Sequence, residues 1–126
     1  MTMKKKELIV TSALPYANGP LHFGHLLEHI QTDIWVRSQR ILGNHCIYLC
    51  ASDAHGTPIM MKAEEENIAP EKLVDKYMKT HKKTLEAFQV SHDCYYQTHS
   101  EENKKYSELI YNLSLIHISE PTRPTP

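Results

Sequence analysis

The sequence predicts an α/β fold with a parallel sheet, and three observations carry that prediction. Leu8-Ile9-Val10-Thr11-Ser12 and Cys46-Ile47-Tyr48-Leu49-Cys50-Ala51 are short, apolar runs rich in β-formers. Between them Phe23, Leu26, Leu27, Ile30, Ile34 and Ile41 recur at helical spacing. Strand, helix and strand in succession make a β-α-β unit with a right-handed crossover.

The elements follow in order. The first run reads as a buried strand, and Pro15 to Pro20 as a loop. A long helix starts at His22 and is stopped by Gly43. The second run is the next parallel strand. Thr57 to about Asn67 forms a short helix, and Pro70 sits at the first position of another that reaches about Phe88. Its inward face is expected to carry Leu73, Tyr77, Leu85 and Phe88. Cys94-Tyr95-Tyr96 is a brief third strand. Thr98 and Glu101 then form a capping box for a helix through Tyr111. Trp35, Ile34 and Val36 read as core or helix contact, His81 with Lys79, Lys82 and Lys83 as a solvated face, and His92 and His99 as loop residues.

Composition bounds the function. At 126 residues, with 40% hydrophobic and 23% charged residues, the chain has the make-up of one globular domain with a modest core. A formal charge of −1 gives no global basic surface, so overall charge does not argue for nucleic-acid binding. Cys46, Cys50 and Cys94 are odd in number without C-x-x-C spacing, which reads as reduced thiols. Lys4-Lys5-Lys6 faintly imitates a signal peptide, but Glu7, the short apolar run and Pro15 argue against one. No apolar run is long enough for a membrane span. The expected location is cytoplasmic, with no membrane partner.

The chemistry concentrates where the first strand hands over to the long helix, at His22-Phe23-Gly24-His25. A helix start leaves backbone N–H groups unpaired and carries the positive end of the helix dipole, so it attracts phosphate. His22 and His25 add donors aimed at the same charge, and Gly24 leaves room for a base or ribose against the backbone. The arrangement points to ATP. In open α/β sheets ligands lie beyond the carboxyl ends of the strands, so Ala13 to Tyr16 and Asp53 should face one pocket. His25-Leu26-Leu27-Glu28-His29 also matches the H-x-x-E-H pattern of zinc metalloproteases, with two histidines one turn apart and the glutamate as base.

His22-Phe23-Gly24-His25 resembles the histidine–glycine–histidine motif of class I aminoacyl-tRNA synthetases. The flanking Ala13 to Gly19, Glu28-His29-Ile30-Gln31, Asp33 to Arg37 and Asp53 to Ile59 resemble the methionyl-tRNA synthetase family of the bacterial type, from about Leu8 to about Asn112. The resemblance implies the first half of a Rossmann-like, doubly wound parallel sheet, incomplete in this chain. It implies methionine–tRNA ligase activity in the parent enzyme: ATP with Mg²⁺ as substrate, methionyl adenylate as intermediate, and transfer to tRNA(Met). His22 and His25 would be catalytic donors, and with Gly24 and Asn18 would bind ATP. Ala13, Leu14, Tyr16 and Asp53 would bind methionine, with Asp53 pairing the α-ammonium group. Helix capping ahead of Thr57, or a place in a turn, is the bland alternative for Asp53. The resemblance implies no metal ligand within the chain, since the family's zinc lies in a cysteine-bearing connective region. A Lys-Met-Ser-Lys-Ser type loop, that connective region and an anticodon-binding domain do not occur in the sequence. The expectation is therefore an inactive fragment, or a stand-alone nucleotide-binding one, with a bare strand edge and an uncovered apolar face.

Residues 1–112 are read as the N-terminal part of the catalytic domain and residues 113–126 as a non-native or disordered tail. Leu113 to Arg123 back-translates to codons resembling a transposase adapter of sequencing libraries, and its proline-rich end is expected to break the preceding helix.

Overall fold

The computed structural model describes residues 5–118. The elements are β1 (Glu7–Thr11), α1 (Phe23–Ile41), β2 (His45–Ser52), α2 (Thr57–Glu65), α3 (Pro70–Ala87), β3 (Cys94–Gln97) and α4 (Glu101–Ile118). Three strands pair in parallel in the order β1-β2-β3, with Leu8 opposite Cys46 and Cys50 opposite Tyr95. Both steps run in the same direction across the sheet, so the described strands form one arm of the expected doubly wound arrangement.

The burial alternation along β2 shows how the sheet is covered. Cys46, Tyr48, Cys50 and Ser52 are buried, and the residues between them are more exposed. One cluster joins Leu26 and Val36 of α1, Cys46, Tyr48 and Cys50 of β2, Leu85 of α3 and Tyr95 of β3, so α1 and α3 share one face. The opposite face is bare: Ile9 is 77% exposed, and Leu49 and Tyr96 are also exposed. β1 is thus an edge strand open on one side rather than the fully buried strand expected. A second cluster, with Ala17, Ala54, Ile59, Leu73 and Tyr77, packs α2 and α3 against the loop after β1.

Helix α1 corrects the apolar pattern. Its buried positions are Leu26, His29, Asp33 and Val36, while Phe23, Leu27, Ile34 and Ile41 are exposed and Trp35 is 46% exposed. Two polar residues occupy the core face, His29 with its Nδ1 bonded to Ser12 Oγ (3.0 Å) and Asp33 with its carboxylate fully engaged. Asp33 accepts from Arg37 Nε (2.6 Å), Ser91 N (2.7 Å) and Ser91 Oγ (2.5 Å). Phe88 is likewise exposed rather than inward, because it caps α3 just before Gln89 turns the chain at φ 58°. The cap of α4 is Ser100, whose Oγ accepts from Asn103 N (3.1 Å), and not Thr98, whose hydroxyl accepts from Ala54 N (2.8 Å).

Ser12, His29 and Tyr48 in the first β-α-β unit match Ser52, His81 and Tyr95 in the second. In each, a serine at the strand's carboxyl end bonds a helix histidine and a tyrosine of the next strand. His81 is fully buried in this role, which corrects the expectation of a solvated face. Its polarity can be assigned: Nε2 donates to Gly19 O (2.7 Å), so the neutral ring accepts at Nδ1 from Ser52 Oγ (2.9 Å), and Tyr95 donates to Ser52 (2.9 Å). Burial holds the His81 pKa below its ordinary value against the opposing Gly19 carbonyl.

Described side chains of α4 are exposed from Glu101 to Ile116, and the helix continues without a break through 113–118. The prolines expected to end it, Pro121, Pro124 and Pro126, lie outside the described residues, as does the rest of the 119–126 segment. Among the described residues no helix is long and apolar enough to cross a membrane.

Candidate nucleotide and amino-acid site

His22 is the N-cap of α1, with φ −109° and ψ 175°. Its Nδ1 accepts from Gly24 N (3.0 Å), and His25 Nδ1 accepts in return from His22 N (3.2 Å). The two rings stack with centroids 3.7 Å apart and planes 26° from parallel. Because both Nδ1 atoms accept main-chain protons, each neutral ring carries its own proton on Nε2 and offers one N–H donor. Burial first, then the neighbouring His22 and His81, lowers the His25 pKa, with Glu28 opposing. The helix start therefore offers two stacked, oriented donors beside the positive end of a 19-residue helix. At Gly24 a Cβ would stand 2.9 Å from His22 Cε1 and 3.0 Å from its Nδ1, so the glycine is required by the cap itself.

The loop after β1 is tied down at four points. Ala13 N donates to Glu28 Oε1 (2.6 Å), Asp53 N to Pro15 O (2.8 Å) and Ala17 N to Asp53 O (2.8 Å), so Tyr16 and Asp53 form a parallel bridge beyond the strand ends. The His81 bond to Gly19 O is the fourth. Tyr16 and Asp53 are thereby brought together as the topology predicts. Leu14 is 41% exposed and Ala13 is exposed on the same segment, while Asn18 shares the loop but joins none of these hydrogen bonds. Asp53 does not cap α2, whose N-cap is Gly56 without a side-chain bond.

Gly56, Glu28 and His81 are positioning residues that the sequence alone did not reveal. Gly56 has φ 127°, and a Cβ there would fall 2.6 Å from the Tyr16 hydroxyl, so Tyr16 can lie where it does only against a glycine. A glycine following Asp53 and His55 was the available signal. Glu28 and His81 gave no signal of this role, since Ala13 N and Gly19 O, which they hold, lie 15 and 62 residues away.

The geometry does not support the H-x-x-E-H alternative. His25 Nδ1 accepts a main-chain proton, so its Nε2 carries the ring proton and has no lone pair for a metal. Glu28 Oε1 is engaged by Ala13 N, and His29 faces the core at 1% exposure rather than sharing a surface site with His25. Two clefts lie beyond β2 and β3. One of about 650 Å³ is lined by residues including His55, Tyr96 and Lys104, and one of about 200 Å³ by residues including Gly56, Ile59 and Val74. Neither is lined by His22 or His25, so the helix start and these clefts are separate features.

The family model described as tRNA synthetases class I (M) matches residues 8–117. The chain belongs to the class I tRNA synthetases. Among relatives of this class I synthetase, the Methionine–tRNA ligase of Wigglesworthia glossinidia brevipalpis is 54% identical over 109 residues, covering 86% of this chain and 20% of that protein. The Methionine–tRNA ligase of Leptospira biflexa serovar Patoc is 56% identical over 106 residues, covering 84% of this chain and 16% of that one. The methionyl-tRNA synthetase of Mycobacterium tuberculosis, solved with methionyl-adenylate, superposes with a TM-score of 0.82 at 24% identity, covering 86% of this chain and 21% of that one. That likeness shows the fold. The class I synthetase sequence spans about a fifth of the length of the relatives it matches.

Proposed function

We propose that this chain carries the first ATP motif and part of the amino-acid site of a methionine–tRNA ligase, which joins methionine to tRNA(Met) through methionyl adenylate. The observation that carries the reading is the stacked His22–His25 pair at the start of α1, adjoining a loop bonded to Asp53. In adenylate formation the methionine carboxylate attacks the α-phosphate of ATP and pyrophosphate leaves. No protein nucleophile is needed. The site must align the attack and stabilise the charge that gathers on the phosphoryl oxygens.

In this reading the His22 and His25 N–H groups and the α1 terminus supply that stabilisation, and Gly24 and Asn18 adjoin the nucleoside. Mg²⁺ accompanies ATP as part of the substrate. The Asp53 carboxylate takes the methionine ammonium group, and Ala13, Leu14 and Tyr16 border the side chain. Transfer RNA is a partner of the whole enzyme, and the cytoplasm is its proposed location, consistent with three free thiols.

The test is a chimaera in which residues 8–117 replace the matching segment of the Wigglesworthia ligase. The chimaera should catalyse methionine-dependent ATP–pyrophosphate exchange, and His25→Ala should lower it about 100-fold. A binding-only segment would give a folded chimaera without exchange.

A further inference from the structure

The second unit's histidine, His81, has both ring nitrogens bonded, whereas its counterpart His29 does not. His29 Nδ1 bonds Ser12 Oγ, and its Nε2 has no hydrogen-bond partner although the residue is 1% exposed. His92 Nε2 is also buried without a partner. The His92 ring packs between Tyr48 (centroids 4.3 Å), Tyr95 (5.3 Å) and the edge of His29 (5.5 Å). The buried Cys50 thiol completes the group: one ligand atom each from His29, Cys50 and His92 lie within 4.8 Å of one another. Orphaned buried nitrogens are costly, and a shared ion would satisfy both at once.

We propose that His29, Cys50 and His92 form a binding site for a soft transition-metal ion of the zinc class. Two imidazoles and a thiolate are the donor set such ions take, and hard cations such as Mg²⁺ or Ca²⁺ prefer oxygen ligands. With Nε2 on the metal, His29 donates Nδ1–H to Ser12 Oγ, which is the outer hydrogen bond that fixes a ligating imidazole. Ser12 in turn lies 3.0 Å from the Tyr48 hydroxyl and 3.6 Å from Cys50 Sγ, so one serine touches both a ligand and its support. The ligands come from α1, β2 and the segment between α3 and β3. The ion therefore acts as a clamp that holds α1, with its histidine cap, on the sheet. The site shares no residue with the ATP and methionine site and stands or falls independently of it.

Cobalt(II) titration of the full 126-residue chain tests the site. One equivalent should bind per chain with thiolate-to-cobalt charge-transfer absorption, and zinc should displace it. Cys50→Ser should abolish that absorption, His92→Gln should weaken binding at least tenfold, and Cys94→Ser should leave both unchanged. Wild-type chain without the charge-transfer band would overturn the proposal. So would a band that survives in Cys50→Ser or disappears in Cys94→Ser.

Discussion

At the scale of single residues, the site rests on glycines and on histidine tautomers. A Cβ at Gly24 would stand 2.9 Å from His22 Cε1, so Gly24→Ala must push that ring off its cap position. In the chimaera this should lower adenylate formation at least tenfold while methionine binding by fluorescence stays near wild type. Gly56 meets a double demand, a φ of 127° and contact with the Tyr16 hydroxyl. Gly56→Ala should raise the KM for methionine, and Tyr16→Phe in the same chain should recover part of that loss by removing the clashing oxygen. If Gly56→Ala alone left KM unchanged, the Tyr16 placement would carry no weight in the amino-acid site.

Individual residues also show what the sequence conceals. His22-Phe23-Gly24-His25 was legible because a local motif coincides with a local structure, a helix cap. The position of Asp53 beside Tyr16 was legible because parallel β topology places the end of β2 beside the end of β1. His81 was not, because its partners Ser52 and Gly19 lie 29 and 62 residues away and each bond is set by packing alone.

At the scale of elements, helix α1 is the one whose pattern misleads. A count of apolar spacing selects Phe23, Leu26, Leu27, Ile30, Ile34 and Ile41. Of these Leu26 is buried and Ile30 packs on the core while the rest are exposed, and the buried face is completed by His29, Asp33 and Val36. Periodicity reads side-chain type, and burial of Asp33 depends on Arg37 and on Ser91 across the fold. Burial alone would raise the Asp33 pKa, but the bonds from Ser91 and Arg37 outweigh it and hold the carboxyl below its ordinary range. Asp33→Asn should cost about 1–3 kcal/mol in urea denaturation, because the Ser91 donors lose a charged acceptor.

Helix α3 gives a pH prediction through His81. Its folded pKa is lowered, so the unfolded chain binds the proton more readily. The contribution of His81 to stability is full above its ordinary value of 6.5 and is lost as pH falls from there toward the folded pKa. The urea midpoint should therefore drop on acidification below pH 6.5, and His81→Gln should flatten that part of the profile.

At the scale of the whole molecule, the described residues clothe the sheet on one face and leave the other bare, with Ile9, Leu49 and Tyr96 exposed and an apolar stripe on α1 uncovered. Sequence reading anticipated such a face, because half of a doubly wound sheet leaves a strand edge and an apolar face uncovered. The described α4 side chains are exposed from Glu101 to Ile116. We take residues 113–126 as an addition to the catalytic-domain segment, and their deletion should leave the thermal midpoint by circular dichroism unchanged. A clear fall in Tm would return them to the domain.

We propose that the histidine cap of α1 and the Asp53 loop form the activating half-site of a methionine–tRNA ligase. Methionine-dependent ATP–pyrophosphate exchange by the 8–117 chimaera tests it most directly. Exchange that requires methionine and falls about 100-fold in His25→Ala is the predicted result; a folded chimaera without exchange, or one indifferent to His25→Ala, would contradict it.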